Sequence, residues 1–108
     1  MNIAALDELV DGILSIFHNQ VIRIVLYGSY ARGTNTAESD VDVALLLNGN
    51  LNGSTEEKLS DLVVDLNLKY DKVFSVIDID YAFFKRWEKV TPFYKNINKE
   101  GIVLWKAV

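Results

Sequence analysis

The sequence contains no cysteine, which excludes disulfides and thiolate zinc sites. It contains one histidine, His18, which excludes a multi-histidine metal centre within one chain. Any bound metal is therefore expected to be a hard cation on oxygen ligands. No apolar run approaches the roughly 20 residues that cross a bilayer. The opening Met1-Asn2-Ile3-Ala4 has no basic segment, and Asp7, Glu8 and Asp11 interrupt the apolar residues that follow. The sequence thus predicts no signal peptide and no membrane association, and a soluble cytoplasmic protein is the expectation. Positive charge is also in short supply. Eleven Lys and Arg face fifteen Asp and Glu, for a net charge of -4 and a pI of about 4.8. A non-specific nucleic-acid binder carries a basic surface, so direct nucleic-acid binding is not expected.

The chain has 108 residues, half of them hydrophobic, which suits one globular domain and not two. Leu6, Leu9, Val10, Ile13, Leu14 and Phe17 recur at helical spacing over Ile3 to Phe17. Val21 to Tyr27 is β-branched and nearly all apolar, and reads as a buried strand. Gly28 and Gly33 bracket a short turn or helical segment. Asp40 to Leu47 reads as a second strand that opens on alternating carboxylates. After the turn-rich Asn48 to Gly53, Ser54 and Glu57 match a capping box. The helix it opens carries Leu59, Leu62, Val63, Leu66 and Tyr70 on one stripe. Val73 to Ile79 is a third strand, and Tyr81 to Trp87 a short helix. Thr91-Pro92 reads as an N-cap with proline at the first helical position, and Gly101 as the stop of that last helix. Ile102 to Trp105 closes the chain as a strand. The order α-β-α-β-α-β-α-β predicts an α/β (α+β) domain, a small mixed β-sheet flanked by helices. Strand order does not follow from periodicity.

Chemistry concentrates between Gly28 and Asp42. Residues i and i+2 of a strand share a face, so Asp40 and Asp42 would lie side by side, about 6.5–7 Å apart at Cα. Like charges so close favour a cation between them. Mg²⁺ suits such a site, because it takes one or two carboxylates together with phosphate oxygens and water. Gly28 leaves room for a phosphate, and Ser29 offers a hydroxyl and a backbone N–H at an expected helix N-terminus, where anions bind. Either half alone is more often an ordinary turn or a solvated strand end. Together they describe a site for a metal-bound nucleoside triphosphate. Other residues stay open. Arg32 reads equally as a phosphate or partner contact and as a solvated turn residue, and Tyr30 as a stacking or a core group. His18 sits at an expected helix end. Phe83, Phe84 and Trp87 read as core or interface. The late basic residues Lys85, Arg86, Lys89, Lys95 and Lys99 read as a solvated face or a docking face.

The stretch GSYARGTNTAESDVDVALL resembles the signature of the DNA polymerase beta-like nucleotidyltransferase superfamily, and the short chain resembles its minimal (MNT) members. The tail NINKEGIVLW resembles the end of those domains. The resemblance implies the polymerase beta-like nucleotidyltransferase fold as a single domain over 1–108. It also implies transfer of a nucleotidyl group, AMP from ATP with Mg²⁺, to an acceptor hydroxyl. Carried over by residue, it gives triphosphate binding to Gly28 and Ser29, and metal binding and catalysis to Asp40 and Asp42; Arg32 joins the nucleotide-binding candidates only from its place in the turn, outside that carry-over. Minimal members are often paired with a HEPN-domain protein as antitoxin, and some transfer AMP to a tyrosine of that toxin. The departure from the pattern falls on the third acid. In VFSVIDIDYA, Ser75 occupies the position where the superfamily has a carboxylate. Asp78 lies three residues on and faces the other way, so it takes the third catalytic role only if a bulge shifts the register by one. A chain without that third acid would be a nucleotide-binding or inhibitory partner of a HEPN protein. A third reading is the small-molecule branch of the superfamily, as in antibiotic nucleotidyltransferases, although the chain is short for that branch's usual extra substrate domain.

Overall fold

In a computed structural model, residues 3–108 are described. Helix α1 spans Ile3–Phe17 and buries Ala5, Leu9, Ile13 and Phe17, one residue per turn. A single 3₁₀ turn, His18–Gln20, with His18 in the left-handed region (φ 50°), redirects the chain into β1, Val21–Tyr27. Then follow α2 (Ser29–Arg32), β2 (Val41–Leu47), α3 (Gly53–Tyr70), β3 (Phe74–Asp80), α4 (Tyr81–Trp87), α5 (Pro92–Glu100) and β4 (Ile102–Lys106). The expected elements are all present. Apart from β4, which runs one residue further, to Lys106, their bounds differ at three places. Asp40 precedes β2 rather than opening it. The strand expected from Val73 runs from Phe74 to Asp80.

The third difference is the cap of α3. Asn52, not Ser54, is the N-cap. Its Oδ1 accepts the Thr55 N–H at 2.9 Å, and the Thr55 hydroxyl accepts the Asn52 N–H at 3.1 Å. That reciprocal pair satisfies two first-turn donors two residues upstream of the expected cap.

The strands form one sheet in the order β3-β2-β1-β4. β1 is antiparallel to both β2 and β4, and β2 is parallel to β3. The parallel pair needs a crossover, which α3 supplies. Alternate residues of β2 enter two different cores. Val41, Val43, Leu45 and Leu47 pack with α1 and α3, while Ala44 and Leu46 pack with Phe84 of α4 and Ile97 of α5. Cover on both faces explains why β2 is apolar without alternation. On α3, Leu59 and Leu66 are buried, and Leu62, Val63 and Tyr70 pack against the same core.

Gly101 ends α5 for a reason other than a left-handed backbone, since its φ of -68° and ψ of 147° are extended. A Cβ there would collide with the Ile97 carbonyl oxygen and a Val25 methyl. The glycine lets the turn from α5 into β4 lie directly on β1. Among the described residues, no helix is long and apolar enough to cross a membrane.

Candidate active site

The end of β1, the start of β2 and the start of β3 meet at one edge of the sheet. Asp42 is register partner to Tyr27 on one side and to Ser75 on the other. Directly after Tyr27, Gly28 turns the chain with φ 76° and ψ -155°, a conformation that side chains with a Cβ rarely adopt. A Cβ at Gly28 would also overlap Oδ2 of Asp42. The glycine is therefore required by backbone shape and by the carboxylate that lies against it. This contact joins the two halves of the motif, the turn and the Asp-x-Asp.

Ser29 opens α2. The Gly28 carbonyl accepts the Arg32 N–H at 3.1 Å. The N–H groups before Arg32 precede any acceptor within the helix and point out of its first turn. Gly33, left-handed at φ 76°, ends α2 and starts the loop that brings Asp40 round to Asp42. Within that loop, Ser39 Oγ accepts the Thr36 N–H at 2.9 Å, and Thr36 Oγ1 accepts the Glu38 N–H at 3.3 Å. Asp40 itself is exposed and Asp42 half-buried.

The electrostatics follow from this placement. Asp42 has its carboxyl pushed above the ordinary aspartate value, first by burial and then by the charge of Asp40, with Arg32 opposing. Tyr27 is raised by burial and by Asp42. Arg32 thus acts on the carboxylates, while its guanidinium pairs with Glu100 at the end of α5 at 3.4 Å. Two carboxylates whose charge is only partly balanced, with oxygen donors alone, fit a hard divalent cation.

The third acid is not gathered in. Ser75 stands beside Asp42 and faces the same side, with an unbroken parallel register from Val41/Phe74 to Leu47/Asp80. The bulge that Asp78 requires is absent. Asp78 pairs with Leu45, whose side chain enters the α1/α3 core, so Asp78 lies on the opposite face from Asp42 and about 10 Å along the strand. Asp78 thus lies away from Asp42, without the register shift on which its expected role as third acid depends. Asp80 lies further off and accepts the Gly49 N–H at 3.3 Å. Among the described residues, no three Asp, Glu or His side chains cluster so as to hold a metal ion.

Residues that periodicity did not single out also shape the site. Lys72, in the link from α3 to β3, donates to the Tyr30 hydroxyl at 2.6 Å and to the Ala37 carbonyl at 3.1 Å. It ties α2 and the Asp40 loop to the rest of the sheet. Tyr30 meanwhile packs against the α1/α3 core, which decides between its two readings. A groove of about 440 Å³ opens beside Asp40 between Ala37, Ser39, Leu68 and Lys72. On the other side Phe93 of α5 meets the Tyr27 ring edge-on at 5.5 Å. Phe84 is core, whereas Phe83 and Trp87 stay partly exposed. No local sequence signal marks these contacts, because each joins residues far apart in the chain.

The sequence model of the nucleotidyltransferase domain family matches residues 6–104. The chain belongs to that family of enzymes. Two relatives from Methanocaldococcus jannaschii, both named "Putative protein adenylyltransferase", are similar to it. One is 34% identical, covering 94% of this chain and 95% of the relative. The other is 35% identical, covering 93% and 95%. Among solved structures, a toxin-antitoxin described with AMP-PNP has the same fold, with a TM-score of 0.64 at 20% identity over 99% of this chain and 75% of that one. A tri-AMPylated Shewanella oneidensis HEPN toxin in complex with MNT antitoxin gives 0.59 at 17% identity, over 99% and 74%.

Proposed function

We propose that this chain binds ATP with Mg²⁺ and transfers AMP to a tyrosine hydroxyl of a HEPN-domain partner, with pyrophosphate leaving, acting in the cytoplasm as that partner's antitoxin. The observation that carries the reading is the contact of Gly28 with Asp42, which sets an anion-binding turn against a carboxylate pair. The names of the relatives and the AMP-bearing toxin complex support the acceptor and the partner. In this reading residues 1–108 act as one minimal nucleotidyltransferase domain.

Asp40 and Asp42 would hold the metal, which supplies charge neutralisation at the phosphates and orients them for in-line attack. Ser29 and the first-turn N–H groups of α2 hold triphosphate oxygens. Arg32, already near Asp42, adds positive charge at the rim. The acceptor hydroxyl must lose a proton to the surroundings or to Asp42, because Ser75 cannot take it. General-base help is worth on the order of 10²–10⁴ in rate, so the transfer by this chain is expected to be slow.

Ser75 beside Asp42 favours a second reading, a chain that binds nucleotide and blocks its partner by contact alone. One experiment separates the two. The chain is incubated with Mg²⁺, ATP and the product of the neighbouring gene, the candidate HEPN-type partner, which is then weighed by intact mass spectrometry. One or more added AMP masses on tyrosine establish transfer. A stable complex with unchanged mass, from which Ser75→Asp produces AMP addition, establishes the contact inhibitor. Separate elution of two folded proteins at micromolar concentration rejects the partnership.

A further inference from the structure

The apolar surface of the α4/α5 side is uneven. Phe84 is fully buried, but Phe93 is 40% exposed although it belongs to a continuous run of aromatic contacts. Its ring lies 5.5 Å from Tyr27, with planes at 81°, and 5.9 Å from Tyr94. Tyr94 in turn packs on Phe84 at 5.0 Å. Phe93 is thus fixed by two rings and still offers surface to solvent. Its position is the second fact. Tyr27 is the residue before the Gly28 turn and the register partner of Asp42, and that carboxylate helps raise the Tyr27 phenol. The far end of the same helix, Glu100, holds Arg32. Helix α5 therefore borders the candidate site with a charged contact at one end and an exposed aromatic at the other.

We infer that Phe93, steadied by Tyr27, is the stacking surface for the base of the bound nucleotide. This rests on the nucleotide-binding reading above and adds the place and chemistry of base recognition. A phosphate turn and a carboxylate pair recognise only the charged end of a nucleoside triphosphate. The rest of the molecule is a ribose and a base, and an exposed phenyl ring beside the turn matches the flat π-face of the base. Every base has such a face, and base–aromatic stacking is sequence-tolerant. The shelf therefore favours nucleotides over bare polyphosphate while discriminating weakly among bases.

The test titrates ATP and inorganic tripolyphosphate, each with Mg²⁺, into the full chain and into Phe93→Leu and Phe93→Trp. Leucine keeps an apolar side chain against Tyr27 and Tyr94, and thermal melting checks that each variant folds. Phe93→Leu is expected to weaken ATP about tenfold, within the range of a lost stacking contact, while tripolyphosphate affinity stays within twofold. Phe93→Trp is expected to restore ATP affinity and to show indole fluorescence quenching on ATP addition. ATP affinity equal to wild type in Phe93→Leu overturns the shelf and leaves the phosphate and metal site standing. Equal losses for ATP and tripolyphosphate assign Phe93 a structural role and also overturn it. Loss of the HEPN-type partner with ATP affinity intact makes the patch a docking face instead. Wild type binding neither ligand removes the nucleotide site and the shelf together.

Discussion

Asp42 carries more charge conflict than the unliganded fold can balance, and that conflict is measurable as stability. Its carboxyl is raised by burial and by Asp40. A carboxylate raised in the folded state costs stability once it ionises. The cost is absent below the unfolded value, near 3.9 for aspartate, and grows in full as pH rises through the raised folded value. At neutral pH without metal, Asp42→Asn should therefore stabilise the protein. If the two carboxylates keep roughly the Cα spacing of an extended chain, about 6.5–7 Å, they repel by about 0.6 kcal/mol in water-like surroundings and about 2.5 kcal/mol at an effective dielectric of 20. Asp40 is exposed, which places the gain toward the lower end, about 1 kcal/mol. For a domain of this size that is a rise in Tm of about 4–8 °C.

The assay is thermal melting in EDTA at pH 7, repeated down to pH 4, and then with Mg²⁺. The advantage of Asp42→Asn should fade as the pH falls and Asp42 becomes protonated in the wild type. Mg²⁺ should stabilise wild type, by about 1.4 kcal/mol at ten times Kd, and leave Asp42→Asn nearly unmoved. A variant less stable than wild type in EDTA at pH 7, or one stabilised equally by Mg²⁺, would refute both the charge conflict and the metal assignment.

Gly28→Ala should destabilise by roughly 1–3 kcal/mol from its positive-φ, extended-ψ backbone alone. It should also weaken Mg²⁺ binding by displacing Asp42, which calorimetry would register. Ser75→Asp should add a carboxylate beside Asp42, tightening Mg²⁺ and raising any AMP transfer; unchanged values for both would show that the β3 position does not face the site. Phe84→Ala, at a fully buried ring between the sheet and Tyr94, should cost about 3–5 kcal/mol in denaturant unfolding without a direct effect on metal affinity in the folded protein.

Local pattern carried a large share of this protein. The amphipathic stripe of Ile3–Phe17, the apolar Val21–Tyr27 and the proline-started helix at Pro92 are properties of neighbouring residues, and they formed where periodicity placed them. The Gly28-Ser29 turn and the Asp40-Val41-Asp42 run were also legible, because each is contiguous and their occurrence together at close spacing sets them apart from an ordinary turn and a solvated strand end. The pairing of these two segments, the order β3-β2-β1-β4, and the face that Asp78 takes depend on partners far along the chain. Whether Asp78 could replace the missing acid turned on a single register shift, and β2–β3 hydrogen bonding over seven residue pairs leaves no place for one. The same holds for Lys72 on Tyr30, Arg32 on Glu100 and Phe93 on Tyr27. Burial, pairing and proximity are set by how whole elements pack, and no window of sequence contains both members of such a pair.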